Sequence, residues 1–157
     1  MIMSEKQTKT RYVLGFLFRE SREAVVLIRK EKPQWQAGLL NGVGGKIESG
    51  ETPVQAMVRE CTEETGAATF PDGWREFCVM EGPTWEVICF ETTDECARLA
   101  ARTRESEVVE KVKIKELQPK ECVSNLLWLL YLALDENGGC PPVANIEYPS
   151  EISEQIK

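Results

Sequence analysis

Glu60, Glu63 and Glu64 stand at i, i+3 and i+4 within the stretch GKIESGETPVQAMVRECTEETGA, Gly45 to Ala67. On an α-helix, at about 100° per residue, that spacing gathers three carboxylates on an arc about a third of the circumference wide. Glu60 and Glu64 lie one turn apart, about 40° in angle, and can grip one cation together. Glu63 sits on the rim, where it could hold a second ion or take a proton from water. Like charges so placed repel and weaken an isolated helix. A divalent cation removes that repulsion, and hard oxygen ligands on a rigid face suit Mg²⁺, which commonly keeps waters and phosphate oxygens as further ligands. The competing reading is a solvated acidic face that binds nothing.

The helix that must carry these residues is well marked. Thr52 suits the N-cap and Pro53 the first helical position, where a missing N–H costs nothing. Val54, Met57, Val58 and Cys61 recur at helical spacing and give an apolar face to set on a sheet. Gly66 suits the stop. Before the helix, Asn41-Gly42-Val43-Gly44-Gly45-Lys46 reads as a glycine-rich loop whose backbone can approach a ligand closely. Neither common phosphate-loop motif fits it. Ile47 follows Lys46 where a Walker A loop needs Ser or Thr, and Ile47 also stands where the dinucleotide fingerprint needs its third glycine. An arginine fork from Arg59 onto Glu51 would tie the loop to the helix, against the alternative of an ordinary surface salt bridge.

The full spacing resembles the Nudix box, G-x5-E-x7-R-E-U-x-E-E-x-G-U, with U apolar. Gly45, Glu51, Arg59, Glu60, Glu63, Glu64 and Gly66 fill the fixed positions, and Cys61 and Ala67 fill the apolar ones with smaller residues than usual. The resemblance implies a metal-dependent pyrophosphohydrolase acting on a nucleoside diphosphate linked to another group. It implies Glu60 and Glu64 as central ligands of Mg²⁺ (or Mn²⁺), joined by a backbone carbonyl at Gly44 or Gly45. Members differ over which glutamate is the base; here Glu63 is assigned. Glu51, Arg59 and Gly66 are read as structural. A further ligand often comes from a later loop, where Glu105 and Glu107 are nearest, although solvated loop charge is the simpler reading of both.

The run Leu40–Lys46 also resembles the loop of MutT-like members that hydrolyse oxidised purine nucleoside triphosphates such as 8-oxo-dGTP, in which the asparagine matching Asn41 contacts the base. An amide offers a purine edge both donor and acceptor; alternatively Asn41 only caps the glycine turn. Lys46 joins the expected substrate contacts, and Trp35 or Trp85 could stack on a base, whereas Trp128, inside an apolar helix, reads as core. The expected products are nucleoside monophosphate and pyrophosphate. The alternatives are a hydrolase of ADP-ribose or another dinucleotide or nucleotide sugar, a non-catalytic nucleotide-binding module of the same fold, and an unrelated acidic α/β protein in which the motif is accidental.

Composition bounds these readings. A chain of 157 residues, 42% hydrophobic and 29% charged, reads as one globular domain, 1–157. A net charge of −7 argues against a nucleic-acid polymer as partner, and the absence of histidine excludes His catalysis and His-ligated zinc. The six cysteines (61, 78, 89, 96, 122, 140) form no C-x-x-C pair and read as reduced, mostly buried thiols. With no signal segment and no membrane-length apolar run, a cytoplasmic protein without a membrane partner is expected. The oligomeric state stays open, a homodimer included.

In chain order, residues 1–10 read as loose. Strands are expected at Tyr12–Phe18, Ala24–Arg29, Leu39–Val43, Trp74–Met80, Trp85–Thr92 and Val108–Leu117, with a loop from Lys30 to Gly38. A short helix or an excursion is expected at Asp94–Arg102, and an apolar helix at Val123–Leu134 stopped by Gly138-Gly139. The tail, 136–157, reads as irregular beyond a core of about 11–135. Helices on both faces of a mixed β-sheet follow, and the resemblance implies the same α/β fold, the Nudix α/β/α sandwich.

Overall fold

The computed structural model describes residues 8–135 and 144–149. Alternation in the first two strands explains the layering. In β1 (Thr10–Phe18), Val13 and Leu17 face one side while Leu14, Phe16 and Phe18 face the other; in β2 (Ala24–Arg29), Val26 and Ile28 oppose Val25 and Leu27. Side chains that alternate faces yet are all apolar need cover on both sides. One side receives α1 (Pro53–Thr65) through Ala56, Met57 and Cys61, and the other receives α3 (Leu126–Leu134) through Leu126, Leu129, Leu130 and Ala133. The result is the expected α/β/α sandwich.

The remaining strands are β3 (Leu40–Asn41), β4 (Val43–Lys46), β5 (Arg75–Glu81), β6 (Trp85–Thr92), β7 (Val108–Lys113) and β8 (Ala144–Glu147), with α2 at Glu95–Ala100. The sheet is mixed, in the order β3-β2-β1-β6-β5-β8, with β4 on β1 and β7 on β2. β1 runs parallel to β6, and β5 parallel to β8; the other pairs are antiparallel. Because β1 pairs with β2 only at Leu17 and Phe18, its N-terminal half is free to take β4 instead.

Several boundaries depart from the sequence reading, each for a visible reason. The glycine run is mostly strand rather than loop: Val43–Lys46 lies antiparallel to Tyr12–Gly15. The strand expected at Leu39–Val43 is broken at Gly42 into β3 and β4. Pairing of β7 with β2 runs out at Lys113, after which Ile114–Glu116 turns as a 3₁₀ helix instead of continuing to Leu117. α3 starts three residues late because Val123 donates its N–H to the carbonyl of Leu40 and Cys122 bridges the same residue. Trp128 is 37% exposed on the outer face of α3, not core. The tail is not wholly irregular, since Ala144–Glu147 forms β8. The readings for residues 1–7, Gly138-Gly139, Cys140 and the rest of the tail lie outside the described residues. Among the described residues no helix is long and apolar enough to cross a membrane.

Candidate active site

A capping box starts α1. Thr52 Oγ1 accepts from the Gln55 N–H at 3.3 Å, and Gln55 Oε1 accepts from the Thr52 N–H at 2.9 Å. Gly66, at φ 71°, ends the helix in the left-handed region that favours glycine. With Met57 and Cys61 buried on the sheet, Glu60 and Glu64 are turned against β4 and their side chains are only 13% exposed, whereas Glu63 is 52% exposed.

β4 makes room for both glutamates. Gly44 N–H donates to Glu64 Oε2 at 2.9 Å. At Gly45 an added Cβ would overlap the Glu60 carboxylate, so only glycine lets that carboxylate lie against the strand. Burial sets the electrostatics. It pushes the Glu64 carboxyl up to about 7, against the opposing pull of Lys30 and the Gly44 N–H. Burial also raises Glu60, only partly offset by the adjacent Arg59.

Arg59 is the hub. Nε and Nη2 donate to the two Glu51 oxygens at 2.6 and 3.0 Å, Nη1 to Glu60 at 2.7 Å and Glu63 at 3.2 Å, and Nη2 also to the Lys46 carbonyl at 2.9 Å. Arg59 and the Glu48 N–H hold the Glu51 carboxyl at about 2. The fork is thus bidentate and ties three segments together.

The donor set fits a hard divalent cation: oxygen ligands only, two of them in carboxylates whose burial disfavours an unneutralised charge. No three acidic or thiol groups among the described residues converge as a ready ion cage, and Arg59 engages both Glu60 and Glu63.

Beside β4 lies a cavity of about 690 Å³, whose lining includes Gly44, Gly45, Asn41, Trp35 and Trp85. Asn41 Oδ1 accepts from the Gly42 N–H at 2.9 Å, and its Nδ2 donates to Gln36 Oε1 at 3.2 Å. Lys46 is exposed and absent from the lining; it reaches the site only through its carbonyl. Glu105 is exposed, but Glu107 is not solvated loop charge. It accepts from Lys30 Nζ at 2.6 Å and from the N–H groups of Glu31 and Lys32. Burial opposes its charge, yet these partners outweigh burial and hold it below the usual carboxylate range.

Lys30 itself lines the cavity and stands 4.0 Å from Glu64, linking the two carboxylates. Sequence reasoning missed Lys30, Gln36, Asn125 and Tyr148, all of which line the cavity. No periodicity or spacing marks them, since each arrives from a separate element. Asn125, before α3, makes no capping bond with its side chain, and its Nδ2 points to Met80 Sδ at 3.6 Å.

Known proteins resemble this chain in sequence and in fold. The 8-oxo-dGTP diphosphatase of Escherichia coli (strain K12) is 41% identical over 58 residues, a match that takes in 37% of this chain and 44% of that relative. A MutT structure from a study of Aliivibrio salmonicida and Vibrio cholerae superposes with a TM-score of 0.64 at 23% identity, over 81% of this chain and 99% of the other. The mutator MutT protein of Bacillus halodurans gives 0.65 at 18% identity, over 90% and 92%. At those identities the structures speak for the fold. The family model of the NUDIX domain matches residues 8–126, and on that match, with the box and the sandwich both in place, the chain belongs to the NUDIX domain family.

Proposed function

We propose that the chain is a metal-dependent pyrophosphohydrolase of nucleoside triphosphates, with 8-oxo-dGTP or a related oxidised purine nucleotide as substrate and nucleoside monophosphate and pyrophosphate as products. One observation carries this reading. The part-buried pair Glu60 and Glu64 and a cavity of about 690 Å³ with tryptophans and amides in its lining share the backbone of Gly44 and Gly45 as a common wall. A cavity of that size suits a nucleoside, and the shared wall supports a reading in which its phosphates would lie beside the carboxylates.

Glu60 and Glu64 would hold Mg²⁺ or Mn²⁺, with a carbonyl at Gly44 or Gly45. When bound, such a cation neutralises phosphate charge and activates water for attack on phosphorus. Lys30, in the cavity lining, supplies a protein cation for a phosphate oxygen. Glu63 is exposed enough to take the proton from the attacking water. Asn41 and Gln36 present an amide pair to the base edge, and Trp35 and Trp85 its apolar walls. Arg59 holds Glu51, the end of β4 and the glutamates in register.

The test is product release from 8-oxo-dGTP, dGTP, dCTP and ADP-ribose with Mg²⁺ or Mn²⁺. Pyrophosphate and monophosphate from the triphosphates, fastest with the oxidised purine, are expected. Activity confined to ADP-ribose would replace the substrate, and binding without turnover of any of them would replace the enzyme with a nucleotide-binding module.

A further inference from the structure

The cavity has one wall that the family match does not include. β8 joins the sheet edge parallel to β5, in register from Cys78↔Ala144 to Glu81↔Glu147. Strand alternation turns Ala144 and Ile146 toward the core on the α3 side and leaves Asn145 and Glu147 exposed. Tyr148 keeps that parity just past the strand, because its N–H still donates to the Glu81 carbonyl at 2.7 Å. Its ring is thereby delivered to the cavity, where it stands 5.4 Å from the Trp85 ring at an interplanar angle of 54°.

Trp85 also packs against the β5–β6 turn. A Cβ on Gly82 would come within 2.5 Å of the indole Nε1, so the indole lies directly on glycine backbone. Among the described residues the Tyr148 hydroxyl meets only Met80 Sδ, at 4.0 Å, a weak acceptor at best. A tyrosine placed for packing alone gains little from such a hydroxyl. What the position does supply is a second aromatic face, tilted against the first and open to the cavity.

We propose that Tyr148 is a specificity-determining residue, forming with Trp85 an aromatic corner that grips the base and favours two-ring over one-ring nucleobases. This rests on the reading above that the cavity takes a nucleoside. Stacking on an aromatic side chain scales with the area of base covered, and its loss is commonly worth about tenfold or more in affinity.

The experiment uses the full chain and three variants: Tyr148→Ala, Tyr148→Leu, which keeps apolar bulk without a ring, and Tyr148→Phe, which keeps the ring without the hydroxyl. Calorimetric titration with dGMP, dCMP and deoxyribose 5-phosphate is paired with kcat and KM for dGTP and dCTP. Tyr148→Ala and Tyr148→Leu should weaken dGMP about tenfold, dCMP about two- to threefold and deoxyribose 5-phosphate not at all, with the loss in KM rather than kcat. Tyr148→Phe should retain the purine-over-pyrimidine ratio. Equal weakening of dGMP and dCMP in the ring-less variants, or none, overturns the proposal while leaving the nucleotide reading in place. Wild-type protein that binds dGMP no better than deoxyribose 5-phosphate overturns both.

Discussion

Arg59 donates at once to Glu51, Glu60, Glu63 and the Lys46 carbonyl, so Glu60 and Glu63 are held by one rigid guanidinium rather than by their own torsions, while Glu64 is held by the Gly44 N–H. Glu60→Gln tests the ligand role directly. The amide is nearly isosteric, but it removes a ligand charge, and kcat should fall about 100-fold or more while the fold persists by circular dichroism. Wild-type turnover would take Glu60 out of the site. Asn41 is a different case, because its Oδ1 accepts from the Gly42 N–H and its Nδ2 donates to Gln36. If the amide reads the base, Asn41→Ala should lower kcat/KM for purine triphosphates selectively, by about two- to twelvefold for one directed hydrogen bond. Equal losses for an oxidised purine, a normal purine and a pyrimidine triphosphate would make Asn41 scaffold only.

β4 is the element on which both halves of the site depend, and its two adjacent glycines do different work. A Cβ on Gly44 would overlap the Val13 carbonyl of β1, which is paired backbone and cannot swing aside. Gly44→Ala should therefore cost about 1–3 kcal/mol of overpacking and lower Tm by several degrees. The nearest atoms a Cβ on Gly45 would meet belong to the Glu60 carboxylate, the far end of a flexible side chain. Gly45→Ala should leave Tm within about 2 °C of wild type, yet lower kcat about tenfold or more, since a displacement near 1 Å at a ligand is enough. Thermal melts and turnover of the two variants, side by side, check this. Loss of stability in Gly45→Ala equal to that in Gly44→Ala would mean that Glu60 is fixed more firmly than its bonds to Arg59 indicate.

For the molecule as a whole, the part-buried carboxylates are a cost that a bound cation would relieve. Glu64 sits near neutrality at about 7 because burial opposes its charge, with Glu60 and Glu107 adding to the repulsion. A cation that binds the folded carboxylates and scarcely binds the unfolded chain must stabilise the fold by linkage, by about 1.4 kcal/mol at tenfold its dissociation constant. Millimolar Mg²⁺ should accordingly raise Tm by about 3–5 °C for a chain of this size, and Glu64→Gln should abolish the rise. A melting curve indifferent to Mg²⁺ and to Mn²⁺, measured by calorimetry after chelation and re-addition, would contradict the ligand assignment.

The box was legible in the sequence because its chemistry is local. Helical periodicity alone sets Glu60 and Glu64 on one face, the Thr52 cap and Gly66 stop mark that helix, and the Arg59–Glu51 contact spans eight positions of one chain segment. The alternating or continuous apolar runs of β1, β2 and β6 were legible for the same reason, since burial leaves its period in the residues themselves. The glycine run was not legible as a strand. Glycine has low strand propensity, and only the approach of β1, which excludes a Cβ at Gly44, makes it pair. Nor did any pattern announce that Lys30 would join Glu107 to Glu64, that Asn125 would reach the cavity, or that β8 would bring Tyr148 to Trp85. Those meetings depend on strand order and on where α3 begins, and contacts between residues distant in sequence leave no period to read. Local geometry thus specifies the carboxylates that would hold the metal, while the walls that would choose a substrate arise only when the sheet closes.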